Sequence, residues 1–271
     1  MSISWFLDSD IPRFLALAER EGWICEPEEF TFLLRTFPEG CFVDRQRGES
    51  VAFITAIKYD NSAWIGNLIV DEKLRGQGIG SRLMRTALSA LHNAGAKTIW
   101  LTASELGAPI YSGLGFTVMD TIQRWRGYGT IRPALATAVS DITFEKLAEI
   151  DRRGWGDNRV TLLCEAFQTG TYRMKSNGFI VSHRSPNGIQ LGPWGALQPG
   201  TAESLFHSVL SVNPEGEGIF LDLPEANHHA AGLLESAGFM VTGTTLLMVH
   251  GTTPEYRPEF IYAMASMGSI G

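Results

Sequence analysis

Three glycines at alternate positions in the segment VDEKLRGQGIGSRLM, which runs from Val70 to Met84, constrain this chain more than any other feature. Glycine loses more conformational freedom on folding than any other residue, so such a concentration indicates that something must approach the main chain. The apolar residues just before the segment form a short β-type run, and those after it recur at helical spacing. The sequence therefore predicts a strand, a glycine loop and a helix in direct succession.

Two common phosphate-binding loops do not match this segment. A P-loop needs lysine followed by serine or threonine after its last glycine, but Gly80 is followed by Ser81 and Arg82. A dinucleotide-binding fingerprint needs G-x-G-x-x-G, whereas here the glycines alternate and Ser81 holds the place of the last one. What remains is a loop whose successive main-chain N–H groups can converge on a pyrophosphate at the positive end of a helix.

The segment Val70-x4-Arg75-Gly-Gln-Gly-Ile-Gly80 resembles the coenzyme A loop of the GNAT N-acetyltransferase superfamily. A second signature, Tyr111-Ser-Gly-Leu-Gly-Phe116, follows a predicted strand and a helical turn, where that family has it. The resemblance covers about residues 1–126. It implies an α/β (α+β) fold, with a mixed, mostly antiparallel twisted sheet flanked by helices, and acetyl-CoA as the co-substrate.

The resemblance also implies a set of residues that bind acetyl-CoA. The pantetheine arm would lie along the strand that precedes the loop, and the loop would surround the pyrophosphate. Relatives often have an asparagine seven residues before the tyrosine, and here a shorter donor, Ser104, stands in its place. The implied cofactor-binding residues are Leu68, Ile69, Val70, Arg75, Gly76, Gln77, Gly78, Ile79, Gly80, Ser81 and Ser104.

Tyr111 is the residue for which the resemblance implies chemistry. Attack of an amine on a thioester expels a thiolate, and a nearby phenol can protonate the sulfur. A tyrosine packed for structural reasons alone is the alternative interpretation. Trp23, beside the first predicted helix, is a candidate for lining an acceptor pocket, and core or surface packing explains it equally well. Asn67, before the glycine loop, is the other predicted substrate contact.

The general base is not identified by the sequence. An amine of pKa near 10 must lose a proton before it attacks, and many relatives use a glutamate of the central strand. Residues 63–67 contain no carboxylate. The open alternatives are a water held by main-chain carbonyls and Asn67, or an acid from elsewhere, such as Asp60.

The second half of the chain repeats the first in order. Residues 219–224 echo residues 99–104, and Ser236-Ala-Gly-Phe239 echoes Gly113-Leu-Gly-Phe116. Where the glycine loop should return, the chain has Leu197-Gln-Pro-Gly-Thr201. The predicted domains are an acetyl-CoA-binding domain at 1–126, a linker at 127–140 and a degenerate GNAT-like domain at 141–271.

Composition excludes several partners and settings. A net charge of −7 without a basic run argues against a nucleic-acid partner, and no stretch approaches the roughly 20 apolar residues of a membrane span.

Three widely spaced cysteines and no export signal indicate a reduced, cytoplasmic setting. Adjacent histidines, His228 and His229, point apart on a turn, so no metal is expected. The expected state is a monomer or homodimer.

The predicted function is transfer of the acetyl group of acetyl-CoA to a primary amine of a small molecule or amino-acid-like acceptor by direct attack. A module that senses acyl-CoA without transferring the acyl group is one alternative, favoured by the missing strand carboxylate and disfavoured by Tyr111. An acyltransferase that uses a longer acyl-CoA is the other.

Overall fold

The computed structural model describes residues 2–105, 107–129, 143–185, 187–211 and 216–271. The chain forms two compact units. The first comprises the residues up to Leu101 together with Gly268–Ile270, and the second comprises Thr102–Met267 and Gly271. The domain boundary at 126 and the linker at 127–140 stay predictions, and residues 130–140 of that linker lie outside the described residues.

The first unit is a sheet with strand order β1-β2-β3-β4-β5. Neighbouring strands are antiparallel except β4 and β5, which are parallel because a helix crosses between them. The strands are β1 (Ser2–Trp5), β2 (Phe42–Gln46), β3 (Glu49–Lys58), β4 (Ser62–Val70) and β5 (Thr98–Ala103), and the helices are α1 (Ile11–Arg20), α2 (Pro27–Thr36) and α3 (Ile79–Asn93).

Aromatic rings from α1, α2 and β3 form the core of this unit. The ring centroids of Phe14 and Phe30 are 4.4 Å apart, and Phe14 meets Phe53 of β3 edge to face at 5.6 Å. All three side chains are fully buried. Burying each one contributes about 2 kcal/mol, so this cluster fixes α1 and α2 on the sheet.

The second unit is a sheet with strand order β11-β6-β10-β9-β8-β7, and β12 pairs with β9. Only β9 and β10 are parallel among the strand pairs of the described residues in this unit. The strands are β6 (Thr117–Tyr128), β7 (Thr171–Lys175), β8 (Gly178–Ser185), β9 (Gly188–Ala196), β10 (Gly218–Pro224), β11 (Met240–Gly251) and β12 (Ile261–Ala263). The helices are α4 (Ala108–Ser112), α5 (Phe144–Trp155), α6 (Val160–Thr169), α7 (Pro199–Leu210) and α8 (His228–Ser236).

The element order of the second half repeats that of the first. A helix joins the parallel strands β9 and β10, as α3 joins β4 and β5, and a short helix then leads to a 12-residue strand in both halves. Gly115 (φ +91°) and Gly238 (φ +82°) stand at equivalent turns before those strands in the left-handed conformation. Both sheets are mixed and mostly antiparallel with flanking helices, so the predicted fold class is confirmed.

Two local features differ from expectation. Strand β1 was not predicted, because its four residues are too few to show an alternating pattern. Asp10 stands directly before α1, and the sequence Asp-Ile-Pro is typical of an N-cap followed by proline in the first turn, but the Asp10 side chain makes no capping bond. Instead its buried carboxylate accepts hydrogen bonds from the Arg45 guanidinium at 2.7 and 2.8 Å and from Ser50 Oγ at 2.9 Å. A bidentate arginine satisfies a buried carboxylate better than one main-chain N–H does.

We expect Asp10→Asn to lower the free energy of unfolding at pH 7 by about 2 kcal/mol. Burial tends to raise the pKa of Asp10, but hydrogen bonds from Arg45, the Leu7 N–H and Ser50 hold this pKa below its usual value. Because the folded-state pKa is depressed, the stabilisation is present above the unfolded-state pKa of about 3.9 and is lost as the pH falls through the folded-state value.

Urea denaturation from pH 3 to pH 7 measures this difference. The control is Asp8→Asn, which removes an exposed carboxylate from the same turn. If the difference in free energy of unfolding between wild type and Asp10→Asn does not shrink towards pH 3, the electrostatic explanation is contradicted.

Candidate functional site

The glycine loop has the backbone of a main-chain anion site. Gly76 (φ +77°) and Gly78 (φ +73°) adopt the left-handed conformation, which side chains resist. A Cβ atom built on either would meet no described residue within 4 Å. At Gly80 a Cβ would make only ordinary contacts, at 3.7 Å from Val70 Cγ2 and 3.8 Å from Leu68 Cδ2. The left-handed backbone therefore requires glycine at 76 and 78, whereas neither the backbone nor the neighbouring side chains require it at 80.

Helix α3 starts directly after the loop. Gly78 is its N-cap, and the Arg82 N–H donates to the Gly78 carbonyl at 3.1 Å. N–H groups in the first turn of a helix have no acceptor within the helix, and they carry its partial positive charge. The open left-handed loop and these donors fit a pyrophosphate, the part of coenzyme A that the sequence-based prediction places at this loop.

Two arginines at the loop already have carboxylate partners. Arg75 forms a salt bridge with Glu21 and donates from Nε to the Val70 carbonyl at 3.1 Å. Arg82 donates to the buried carboxylate of Asp44 at 3.0 Å. Their side chains remain 46% and 40% exposed. Their charges are thus held at the loop and partly balanced before any anion arrives.

Strand β4 is interrupted just before the segment expected to run beside pantetheine. Its register with β3 shifts between Thr55–Gly66 and Phe53–Ile69, and Asn67 within this irregularity has φ +54°. The pairing of β4 with β5 covers residues 62–64 of β4, so residues 68–70 lie beyond it. The contact of their main chain with the pantetheine arm stays a prediction.

Asn67 lies at the centre of a polar cluster. Its Nδ2 donates to Thr55 Oγ1 at 3.1 Å and to Glu29 Oε1 at 3.3 Å, and its main-chain N–H donates to the Gly268 carbonyl at 3.3 Å. The Ser269 side chain hydrogen-bonds to the same Glu29 carboxylate. Asn67, predicted as a substrate contact, is thus already bonded to a carboxylate that the sequence did not single out.

Gly66 allows the segment Gly268–Ile270 to reach this cluster. A Cβ atom at Gly66 would lie 2.2 Å from the Gly268 carbonyl oxygen and 2.6 Å from Ser269 Cα, distances that no side chain tolerates. The Tyr59 hydroxyl also donates to the Ile270 carbonyl, at 2.5 Å. Close main-chain contact therefore fixes these three residues against β4.

Burial raises the pKa of the Glu29 carboxyl above its usual value. Hydrogen bonds from Ser269 and Asn67 oppose this effect in part, and the charge of Glu26 adds to it. One sequence signal bears on this residue: Glu29 precedes Phe32 and Leu33, both buried, by three and four positions, the spacing of one helical face. Nothing in the sequence indicates its bond to Asn67.

Tyr111 and Ser104 come together at α4. The Tyr111 ring packs edge to face on Phe116, with centroids 6.2 Å apart. Burial raises the pKa of the Tyr111 phenol above its usual value near 10, so the phenol keeps its proton at neutral pH. Ser104 Oγ accepts from the Gly107 N–H at 3.2 Å, and a Cβ at Gly107 would lie 3.4 Å from Tyr111 Cε2. Ser104 thus shapes the turn that presents Tyr111, and its contact with coenzyme A stays a prediction.

The structure does not join two other candidates to the Asn67 cluster. The Trp23 ring is 41% exposed and lies 6.5 Å from the Phe14 ring. The exposed Asp60 carboxylate accepts from Asn61 Nδ2 at 3.2 Å in the turn between β3 and β4. A role for Trp23 in acceptor binding stays a prediction.

Neither a metal-binding cluster nor a membrane-spanning helix is present in the described part of the chain. Within the described ranges, no group of three or more histidine, cysteine, aspartate or glutamate side chains could hold a metal ion. No helix in the described part of the chain is long and apolar enough to cross a membrane.

Comparisons with protein families match both halves of the chain to acetyltransferases. The model of the acetyltransferase (GNAT) family matches residues 7–116, and that of an acetyltransferase (GNAT) domain matches residues 147–263. The glycine loop and the strand before it, residues 68–81, lie within the first match, and Tyr111 does as well.

Two curated proteins are similar in sequence. An uncharacterized N-acetyltransferase of Methanocaldococcus jannaschii is 27% identical over 106 residues, which cover 35% of this chain and 47% of that protein. The chain thus spans about half the length of this relative. N-alpha-acetyltransferase 30 of Dictyostelium discoideum is 25% identical over 146 residues, which cover 49% of this chain and 77% of that protein.

The fold is similar to that of a solved structure from Pyrococcus horikoshii, described as a candidate acetyltransferase. The TM-score is 0.84 at 22% identity, with 98% of this chain and 95% of that chain covered. Together with the two family matches, which span most of the sequence, this likeness leads to one conclusion. The chain belongs to the GNAT acetyltransferase superfamily, with two GNAT domains in tandem.

Proposed function

We propose that this protein is an N-acetyltransferase that moves the acetyl group of acetyl-CoA to a primary amine of a small molecule or amino-acid-like acceptor by direct attack. The observation that supports this most is the open, left-handed loop at Gly76 and Gly78 before the first turn of α3. When bound, acetyl-CoA supplies the acetyl group as an activated thioester.

The main chain of the first unit holds the co-substrate in this proposal. N–H groups of the loop, residues 76–81, donate to the pyrophosphate, and the N-terminal end of α3 favours its negative charge. The main chain of residues 68–70 lies along the pantetheine arm. Arg75 and Arg82 exchange part of their contact with Glu21 and Asp44 for phosphate oxygens.

Tyr111 is the general acid in the proposed reaction. Its phenol carries a proton at neutral pH because burial raises its pKa, and it donates that proton to the sulfur as the C–S bond breaks. Direct attack needs no covalent enzyme intermediate, so no nucleophilic side chain is required. The name of the Dictyostelium relative indicates that its acceptors are α-amino groups, which are primary amines of the proposed class.

A sensor that binds acyl-CoA without transferring the acyl group is the second candidate function. The absence of a carboxylate from residues 63–67 of β4 favours it. Incubation with acetyl-CoA and an amine library, while free thiol is followed, separates the two functions. Thiol release above hydrolysis with any amine supports the transferase, and no release above hydrolysis favours the sensor. Competition among acyl-CoAs of increasing length tests the preference for acetyl.

We expect Gly80→Ala to weaken acetyl-CoA binding at least tenfold while leaving the free energy of unfolding within about 0.5 kcal/mol of wild type. The added methyl group meets only ordinary contacts in the protein, but it stands where the loop would approach the pyrophosphate. Calorimetric titration with acetyl-CoA measures the change. The control is Gly200→Ala in α7, where a Cβ meets no described residue within 4 Å. Unchanged affinity in Gly80→Ala would contradict the loop assignment.

We expect Tyr111→Phe to lower kcat about 100-fold, in the range measured for loss of a general acid. The affinity for acetyl-CoA should stay within threefold, because the ring that packs on Phe116 is kept. Steady-state kinetics and calorimetry measure the two quantities, and Tyr128→Phe, which alters an exposed tyrosine, is the control. Unchanged turnover would refute the assignment of Tyr111.

A further inference from the structure

The proposed reaction requires a group that removes a proton from the acceptor amine, and β4 supplies no carboxylate in residues 63–67. We propose that the Glu29 carboxylate of α2 is the general base, which takes this proton directly or through one water. This inference rests on the transferase function proposed above.

Glu29 lies at the interruption of β4. Its Oε1 accepts from Asn67 Nδ2 at 3.3 Å, and the same Nδ2 donates to Thr55 Oγ1 at 3.1 Å. Asn67 is buried and directly precedes residues 68–70, which are proposed to run beside the pantetheine arm. Helix α2 therefore brings a carboxylate to the interruption of β4, directly before the residues proposed to run beside the pantetheine arm.

The segment Gly268–Ile270 fixes the other side of the carboxylate. The Ser269 side chain hydrogen-bonds to Glu29, and the Gly268 carbonyl accepts from the Asn67 N–H at 3.3 Å. An ionised carboxylate has about four lone-pair positions, so these two bonds leave it able to accept a proton. These two hydrogen bonds thus orient the Glu29 carboxylate and leave acceptor positions free for a proton, as a general base requires.

The electrostatic surroundings suit this role. Burial raises the pKa of Glu29 and outweighs the bonds from Ser269 and Asn67, and the facing carboxylate of Glu26 raises it further. Cys25, which also interacts with Glu29, stays a thiol because burial and the charges of Glu29 and Glu26 raise its pKa to about 12. A base is most effective when its pKa approaches the working pH.

Other carboxylates fit the role less well. Asp60 is exposed in a turn and is bonded to its neighbour Asn61. Glu28 is exposed on the same helix. Of these three carboxylates, Glu29 alone combines burial with a hydrogen bond to β4.

The proposed step balances in atoms and charge. The nitrogen of the amine forms a bond to the acetyl carbon, and the C–S bond breaks. The ammonium first loses one proton to Glu29, which frees the lone pair for attack. After attack the nitrogen loses a second proton to solvent, and the sulfur receives one from Tyr111. Solvent then exchanges protons with Glu29 and Tyr111 and restores both groups.

The test compares Glu29→Gln with Glu28→Gln, which removes an exposed carboxylate from the same helical turn. We expect Glu29→Gln to lower kcat/KM about 100-fold at pH 7 and to keep acetyl-CoA affinity within threefold. In the wild type, kcat/KM plotted against pH should fall towards acidic pH as the base becomes protonated. This acidic limb should be absent in Glu29→Gln and present in Glu28→Gln. An acidic limb of unchanged position and full activity in Glu29→Gln would overturn the proposal.

A second variant, Ser269→Ala, keeps the carboxylate but removes a hydrogen bond that lowers its pKa. We expect the acidic limb of Ser269→Ala to move to higher pH, which a purely structural role for Glu29 would not cause. An unmoved limb in Ser269→Ala would count against the proposal even if Glu29→Gln failed to fold.

The two proposals fail in different ways. Wild-type protein that binds acetyl-CoA but releases no thiol with any amine would refute the transferase and, with it, the base. Wild-type transfer that survives in Glu29→Gln would refute Glu29 alone.

Discussion

The left-handed backbone at Asn67 is the constraint on which the rest of the first unit depends. Asparagine adopts this conformation more readily than most residues, and here it interrupts the pairing of β4 with β3. The irregularity directs the main-chain N–H to Gly268 and the side chain to Thr55 and Glu29. One backbone angle thus places the carboxylate, the segment Gly268–Ile270 and the strand that leads to the glycine loop.

In the proposed function, the glycine loop stabilises an anion chiefly through its main chain. Arg75 and Arg82 are balanced by Glu21 and Asp44, so they hold the loop in place without adding two unpaired positive charges. Main-chain N–H groups at a helix end are fixed dipoles that need no rearrangement when a phosphate binds. This division of roles is compatible with the acidic net charge of the chain.

Elements defined by local pattern were predictable from the sequence. Strand β5 (Thr98–Ala103) lies before the Tyr111 signature, where a strand was predicted, and the glycine loop followed by α3 stands where spacing and composition placed it. The tandem repeat was visible because the short turns at Gly115 and Gly238 need glycine for the same backbone reason. The environment of Glu29 was not predictable, because it depends on Asn67 and Ser269, which are distant in sequence. The bond from Arg45 to Asp10 was missed for the same reason: ion pairs between elements leave no periodic signal.

The contact of Gly268–Ile270 with β4 has a consequence for synthesis on the ribosome. Domains generally fold in order as they emerge, but Tyr59 and its partner Ile270 are 211 residues apart. Until translation reaches these late residues, Gly66 and Asn67 lack their contacts with the main chain of Gly268 and Ser269, and Glu29 lacks the Ser269 side chain. The first half of the nascent chain therefore cannot assemble its complete polar cluster by itself. Its maturation waits for nearly all of the second half to be made.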